Sequence, residues 1–86
     1  MKKIKEKLVG KVIHYFDKLK VAVIRVSAPV SVGDKIRIVG GEDTNFKQTI
    51  KSIESDHKKL KRAGKGKEVG IKVNNKVREG YKVFKI

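Results

Sequence analysis

The order of hydrophobic and polar positions along the chain is typical of β-strands. From residue 8 onward, short runs rich in valine and isoleucine are separated by glycine, asparagine and aspartate. No segment keeps apolar residues at helical spacing over three turns. The pattern therefore predicts an all-β fold. The predicted strands cover residues 8–16, 21–26, 35–39, 46–54, 69–73 and 81–86.

Local irregularities within these runs refine the prediction. Gly10 interrupts the first strand and suggests a bend or bulge. Residues 21–26 are almost continuously apolar, which is typical of a central strand that is covered on both faces or tightly packed. In the fourth run, Phe46 and Ile50 lie on one face, and Ile53 falls out of their register, which is consistent with a second bulge.

Six short strands around one core favour a six-stranded closed antiparallel β-barrel, because closure hides the sheet edges. Residues 55–68 interrupt the strands, and we expect them to form an ordered loop with at most one helical turn. A chain of 86 residues is long enough for one compact domain. We assign residues 8–86 to this domain and residues 1–7 to a basic N-terminal lead.

The residue types offer little for catalysis or metal binding. The chain contains no cysteine and two histidines, and its acidic residues are scattered singly. These residues make no nucleophile–base set and no spaced ligand set, so we predict no enzyme activity, no metal site and no cofactor. No apolar run approaches the length of a membrane span, and we expect a soluble, cytoplasmic protein without a membrane partner.

Charge is the outstanding feature of the composition. The 23 lysines and arginines outnumber the 9 acidic residues and give a formal net charge of +14. A field of this sign favours a polyanionic partner. The alternative is adaptation to heat, which enriches lysine and glutamate together. An ion-pair network needs acidic partners, however, and these are too few to balance the basic residues.

The densest cluster of positive charge lies in the predicted loop and is the candidate nucleic-acid-binding site. Glycines within it would let backbone amides approach phosphates. The alternative is a solvated loop that carries charge for solubility. The candidate residues are His57, Lys58, Lys59, Lys61, Arg62, Lys65 and Lys67.

The order of several short motifs resembles the second domain of elongation factor Tu and of elongation factor one-alpha. The resemblance covers about residues 8–86. It rests on the apolar run at residues 21–24, on Val32-Gly33-Asp34 leading into a strand, on residues 50–54 followed by His57, Leu60 and Ala63, on residues 66–70, and on Val77-Arg78-Glu79-Gly80.

This resemblance implies a translation-factor-like barrel that contacts ribosomal RNA or tRNA. The sequence departs from the tRNA carriers before the fifth strand, where Glu68 stands in place of a neutral amide. A carboxylate there would repel the phosphates of a tRNA end. No phosphate-binding loop of the GTPase type is present, because Gly64–Lys67 lacks the required spacing and hydroxyl group.

Two functions remain open from the sequence. The first is a non-catalytic RNA-binding or ribosome-associated module that uses the basic loop for phosphate contacts. The second is a protein-interaction barrel that serves a larger RNA-modifying or peptidase-like enzyme, since similar barrels are appended to collagenase-like peptidase families. An exposed apolar patch beside the basic loop would favour the second.

Overall fold

A computed structural model describes residues 7–41, 44–55 and 58–86 of the chain. Within these ranges the regular secondary structure is entirely β-strand, which confirms the all-β prediction. The strands are β1 (Lys7–Phe16), β2 (Val21–Val26), β3 (Val30–Ser31), β4 (Lys35–Gly40), β5 (Thr44–Thr49), β6 (Ile53–Ser55), β7 (Lys58–Leu60), β8 (Arg62–Ala63), β9 (Glu68–Lys72) and β10 (Lys82–Lys85).

The described strands form two antiparallel sheets. Eight of them lie in one sheet in the order β5-β4-β10-β1-β2-β9-β6-β7, and β3 pairs with β8 in a second sheet. The last strand, β10, lies between β1 and β4, so the first and last described strands are neighbours in the middle of the large sheet. The central position predicted for residues 21–26 is confirmed, because β2 pairs on both sides with β1 and β9.

Aliphatic side chains fill the core between the sheets. Isoleucines and valines from seven of the ten described strands and from the segments between them are fully buried, and the largest of them are Ile24, Ile36, Ile38, Ile50, Ile53 and Ile71. Tyr15, Phe46, Leu60 and Tyr81 are partly buried and pack against the edge of this cluster. The aromatic residues therefore border the core and do not form its centre.

The irregularity predicted at Gly10 is confirmed as a shift in register. In the pairing of β1 with β10, Leu8 faces Phe84 and Gly10 faces Val83, so Val9 is the extra residue of a bulge. This bulge lets Val9 and Val12 both point into the core, although they are an odd number of residues apart. A strict alternation would have placed one of them in solvent.

The predicted strand over residues 46–54 is wrong in one respect, because it is two strands. Strand β5 ends at Thr49 and β6 begins at Ile53. Between them, Ile50 donates its N–H to Asp34 O (2.9 Å) and accepts a bond from Gly33 N–H (2.8 Å). Ile50 and Ile53 are both buried. A regular strand of period two cannot place residues three apart on the same face, and here the break between β5 and β6 lets both face the core.

The predicted loop over residues 55–68 is also corrected. Residues on both sides of the undescribed pair 56–57 form strands β6 and β7, and β8 pairs with the short strand β3 that the sequence pattern did not predict. These strands are only two or three residues long, too short for a periodic signal. The described part of this segment contains no helical turn.

The six-stranded closed barrel is not confirmed. Ten strands lie in the described ranges, and the backbone ladders among them leave β5 and β7 at the two ends of the large sheet. A side chain nevertheless links distant parts of this sheet. Gln48 of β5 donates from its amide to Lys72 O and accepts from Asn74 N–H, each at 2.8 Å. Lys7, assigned to the lead, begins β1, and residues 1–6 lie outside the described residues.

Candidate functional site

The predicted nucleic-acid-binding residues lie on an edge strand, a short strand and a turn. Lys58 and Lys59 belong to β7 at the end of the large sheet, Arg62 belongs to β8, and Lys61 connects the two strands. Lys65 and Lys67 lie in the turn that leads into β9. We call these six cations the basic segment. His57, the seventh predicted residue, lies outside the described residues.

The side chains of the basic segment are exposed and carry unbalanced charge. All six are exposed to solvent, and none forms an ion pair with another residue of the described ranges. Even Lys59, which lies across from Glu54 in the β6–β7 pairing, makes no such contact with it. The geometry is therefore compatible with contacts to an anionic partner through these side chains.

The backbone of the turn behaves differently from the sequence-based expectation. Gly66, with φ of +88°, donates its N–H to Val26 O at 2.7 Å, and Lys67 donates its own to Gly64 O at 3.3 Å. Val26 in turn donates to Lys67 O at 2.8 Å. These bonds tie the turn to the end of β2. The amides of Gly66 and Lys67 are thus already bonded and are not available to phosphates.

A second surface feature, which the sequence analysis missed, is an apolar groove on the outer face of the large sheet. Phe16 is 45% exposed and Leu19 is 63% exposed. They adjoin Val21 and Val23, the outward residues of β2. We call this surface the Gly70 groove. Around Gly70 it is lined by the apolar residues Phe16, Leu19, Val21, Val23 and Val69 and by the polar residues Ser52, Glu54, Ser55, Glu68 and Lys72.

Strand pairing explains why these residues meet. His14 lies opposite Val23, Val23 opposite Gly70, Gly70 opposite Glu54, and Glu54 opposite Lys59. Residues that face each other across antiparallel strands share one face of the sheet. The row therefore runs from the apolar groove to the edge that carries Lys59. Lys59 of the basic segment and the apolar patch therefore lie on one face, with Glu54 between them.

The sequence did contain a signal for this groove. The nearly continuous apolar run at residues 21–26 was interpreted as a central strand, and its inward residues Ala22, Ile24 and Val26 are indeed buried. The outward residues Val21 and Val23 are only half-buried, because no described segment of the chain covers them. A strand that is apolar at its outward as well as its inward positions thus indicates a second apolar face that the described residues leave uncovered.

A third feature is a mixed-charge cleft between the end of β1 and the segment before β10. His14 Nδ1 lies 3.6 Å from Glu79 Oε2, and its ring packs edge-on against Phe16 with centroids 4.5 Å apart. Burial, and then the nearby Asp17 carboxylate, raise the pKa of the Tyr15 phenol above its ordinary value. The cleft is lined by His14, Tyr15, Asp17, Lys76, Val77, Arg78 and Glu79.

The imidazole and the carboxylate that meet in this cleft are exposed to solvent. His14 is exposed, its carboxylate neighbour is exposed, and the chain has no cysteine. Among the described residues, no group of three or more histidine, aspartate and glutamate side chains is placed to hold a metal ion. The described part of the chain also has no helix of the length and apolarity that a membrane span requires.

Comparison with known proteins assigns the chain to a family. The family described as "Peptidase family U32 C-terminal domain" matches residues 5–81. An uncharacterized protease of Methanocaldococcus jannaschii is 36% identical over 76 residues, which are 88% of this chain and 19% of the relative. A collagenase of Porphyromonas gingivalis is 33% identical over 78 residues, which are 90% of this chain and 22% of the relative. The chain therefore spans about a fifth of the length of these relatives.

A solved structure agrees with this result. The crystal structure of the C-terminal domain of a Geobacillus thermoleovorans protein assigned to the U32 peptidases superimposes with a TM-score of 0.86 and 25% sequence identity. The superposition covers 100% of this chain and 98% of that domain. A selenomethionine variant of the same domain gives a TM-score of 0.85 over 90% of this chain.

These findings overturn the resemblance to elongation factors and, with it, the translation-factor interpretation. The residues that carried the resemblance, such as Gly33, Gly70 and Gly80, allow sharp turns and close packing of strands. Small β-domains of separate families need glycines at such positions equally. The order of these glycines along the chain therefore indicated a type of fold and gave no evidence of common descent with the elongation factors. The match over residues 5–81 decides the lineage, and the chain belongs to the family of peptidase U32 C-terminal domains.

Proposed function

We propose that this chain is a non-catalytic accessory domain of a U32 peptidase-type protein. The observation that carries the proposal is the family match over residues 5–81, in a family described as the C-terminal domain of such proteins. The chain corresponds to about a fifth of the curated relatives, so most of each relative lies outside the part that it matches. A domain of this kind would bind or position a partner for chemistry performed elsewhere.

The residue inventory supports a non-catalytic role. Hydrolysis of a peptide bond needs an activated nucleophile or a metal-bound water beside a general base. This chain offers no cysteine, and His14 lies on an exposed strand face with Glu79 as its described partner. The nearest resemblance to a site, the cleft around His14, contains no serine or threonine in its lining.

We also propose that the domain closes into a barrel, in which side-chain hydrogen bonds join parts of the sheet that backbone hydrogen bonds leave unpaired. The support comes from Gln48, which is 8% exposed and bonds across to the end of β9. Backbone bonds from Val32 N–H to Lys61 O and from Gly33 N–H to Ile50 O extend the β3–β8 and β4–β5 pairings beyond the ends of those strands. A closed form would present the Gly70 groove and the basic segment on a rigid body.

An exchange of domains tests the accessory role. The collagenase of Porphyromonas gingivalis would be prepared intact, without the region that matches this chain, and with this chain in place of that region. We expect the truncated form to lose collagen cleavage, the chimera to recover it, and this chain alone to cleave nothing. Full activity of the truncated form, or cleavage by this chain alone, would contradict the proposal.

A second candidate function, binding of tRNA or ribosomal RNA, is favoured by the basic segment. Its six exposed cations lack ion-pair partners among the described residues, and a polyanion would supply such partners. Because the amides of Gly66 and Lys67 are already bonded, the contacts would come from side chains. Such binding would be sensitive to salt and largely independent of base sequence.

Two variants that lose positive charge at different surfaces distinguish RNA binding by the basic segment from a general effect of net charge. We expect the joint change of Lys58, Lys59, Lys61 and Arg62 to Ala to weaken tRNA binding and to reduce its dependence on salt. The slope of the logarithm of the binding constant against the logarithm of the salt concentration should fall by about 0.9 for each phosphate contact that is lost. The control changes Lys11, Lys18, Lys35 and Lys47 to Ala and removes the same charge from other surfaces. Equal losses in both variants, measured by fluorescence anisotropy across a salt series, would mean that the basic segment is not the site.

A further inference from the structure

We infer that the Gly70 groove is the surface on which this domain docks against the remainder of a U32 peptidase-type protein. The inference rests on the proposed accessory function and deepens it by naming the contact surface and its partner. It is carried by the exposure of the groove, its shape, the charges around it and the length of the relatives.

The groove is apolar where a solvent-facing sheet is usually polar. An antiparallel sheet with one solvated face alternates apolar and polar residues along each strand. Strand β2 breaks this rule, because Val21 and Val23 point away from the core that Ala22 and Ile24 fill. Phe16 and Leu19 extend the apolar surface onto the end of β1 and the following turn. A contiguous surface of this kind marks an interaction site in a stable domain.

Gly70 gives the surface its concave shape. It lies between Val23 on β2 and Glu54 on β6, where any other residue would project a side chain. A Cβ atom at this position would stand 3.0 Å from Val21 Cγ1 and 3.9 Å from Glu54 O. Its absence leaves a depression between the outward valines and β6, of the kind that receives a protruding apolar side chain from a partner.

Charged groups border the groove and indicate what the partner carries. Arg25 and Glu68 close one end with an ion pair of 3.0 Å, so they neutralise each other. Of the remaining neighbours, Glu54 in the lining is acidic, whereas Lys59 beyond it and Lys72 beside Val21 are basic. The matching partner surface is an apolar projection that carries acidic residues where it meets Lys59 and Lys72.

The relatives identify the occupant. Each curated relative has about four-fifths of its length outside the part that this chain matches, and that remainder adjoins a domain of this kind in one polypeptide. Interfaces between domains of a chain typically bury about 600–1,500 Å² and include apolar contacts. A second copy of this chain is a poor alternative, because each copy carries a net charge of +14 and repels the other.

The absence of cysteine from the chain allows a direct test of coverage. Leu19→Cys places a single thiol at the most exposed position of the groove, and Val32→Cys places one at a comparable exposed position on the turn between β3 and β4. Each variant would be labelled with a maleimide in the free chain and in the collagenase chimera. Mass spectrometry of the peptide that carries the new cysteine would give the labelling rate.

The expected result is a selective loss of reactivity in the chimera. The thiol of Leu19→Cys should react about tenfold more slowly there than in the free chain, which corresponds to about 1.4 kcal/mol of docking free energy. The thiol of Val32→Cys should react equally fast in both. Equal rates for Leu19→Cys in the two contexts, or slowing of both thiols alike, would overturn the inference. Recovery of collagen cleavage by the same chimera would still leave the accessory function standing, so the two failures are distinguishable.

Discussion

At the scale of single residues, two glycines define the shape of this domain because their missing side chains leave room for others. Gly70 opens the groove on the outer face, and Gly40 at the end of β4 gives room to the ring of Tyr81. The Tyr81 ring packs against the core edge over Gly40, and its hydroxyl lies 3.4 Å from the Thr44 hydroxyl. Glycine at a strand position frequently marks such an approach of an aromatic ring.

Gly40→Ala should therefore destabilise the domain. The new Cβ atom would overlap the Tyr81 ring, and overpacking of this kind typically costs about 1–3 kcal/mol. In the background of Tyr81→Ala the same substitution should cost almost nothing, because the ring is gone. Gly64→Ala is the matched control, since a Cβ atom there meets nothing within 4 Å. Urea unfolding of the four variants measures the effect, and an equal cost of Gly40→Ala in both backgrounds would refute the explanation.

At the scale of elements, the strands differ in how far local sequence determines them. Strands β1, β2, β4, β9 and β10 lie within a residue or so of their predicted bounds, because each carries a local signal, either an alternation of apolar and polar residues or, in β2, a continuous apolar run. Strands β3, β6, β7 and β8 are too short to show a period. Their partners lie elsewhere in the chain, so pairing with those partners decides where they begin and end.

At the scale of elements, the side chain of Gln48 also links β5 to the end of β9. Gln48→Leu should lower the free energy of unfolding by roughly 1–3 kcal/mol, because it leaves two part-buried backbone groups, Lys72 O and Asn74 N–H, without their partner. Gln48→Glu keeps the bond from Asn74 N–H, but it sets a carboxylate oxygen against Lys72 O in place of the amide donor, so it should also destabilise the domain. The measurement is the midpoint of urea unfolding at an unchanged m value.

Lys47→Gln in the same strand serves as the control, because its side chain is exposed. Surface substitutions of this kind usually change stability by less than about 0.5 kcal/mol. If Gln48→Leu proved as mild as Lys47→Gln, the bonds across the sheet would not hold the two parts of the domain together.

At the scale of the whole molecule, charge and compactness oppose each other. A net charge of +14 is confined to a body with a radius of gyration of 12.0 Å. The described ion pairs are few and mostly exposed, so they do little to offset the mutual repulsion of the cations. Self-repulsion of this kind destabilises the compact state and is weakened by salt.

The thermal stability of the free chain should therefore rise with ionic strength. Between about 0.01 M and 0.15 M salt the Debye length falls from about 30 Å to about 8 Å, which is shorter than the molecule. We expect Tm to rise by roughly 4–8 °C, the equivalent of about 1 kcal/mol in a domain of this size. Circular dichroism melts in NaCl measure the shift. The variant that lacks Lys11, Lys18, Lys35 and Lys47 should show a smaller one, and a Tm that falls or stays constant would contradict the argument.

The assignment of family also belongs to the whole molecule, and here motif reasoning failed. Turn glycines and valine-rich strands in a familiar order suggested an elongation factor, and the match over residues 5–81 corrected this to the U32 C-terminal domain family. The alternative of an accessory domain for a peptidase-like protein was the better interpretation. The apolar patch that was expected to favour it lies beside Lys59 on the outer face.

The sequence by itself determined the features that depend on neighbouring residues or on composition. These are the all-β class, the bounds of the longer strands, the bulge at Gly10, the net charge and the clustering of six cations between residues 58 and 67. Alternation with period two and the residue types at turns encode these features locally. No knowledge of distant partners is needed to recognise them.

Only the tertiary structure decided which distant residues meet. It placed Val23, Gly70, Glu54 and Lys59 in one row, joined Gln48 to the end of β9, and bonded the turn at Gly66 to Val26. It also ended β5 before Ile50 and began β6 at Ile53, and both isoleucines are buried. Such pairings join strands that are far apart in the chain, and the short-range pattern carries no information about which strand a given strand will face.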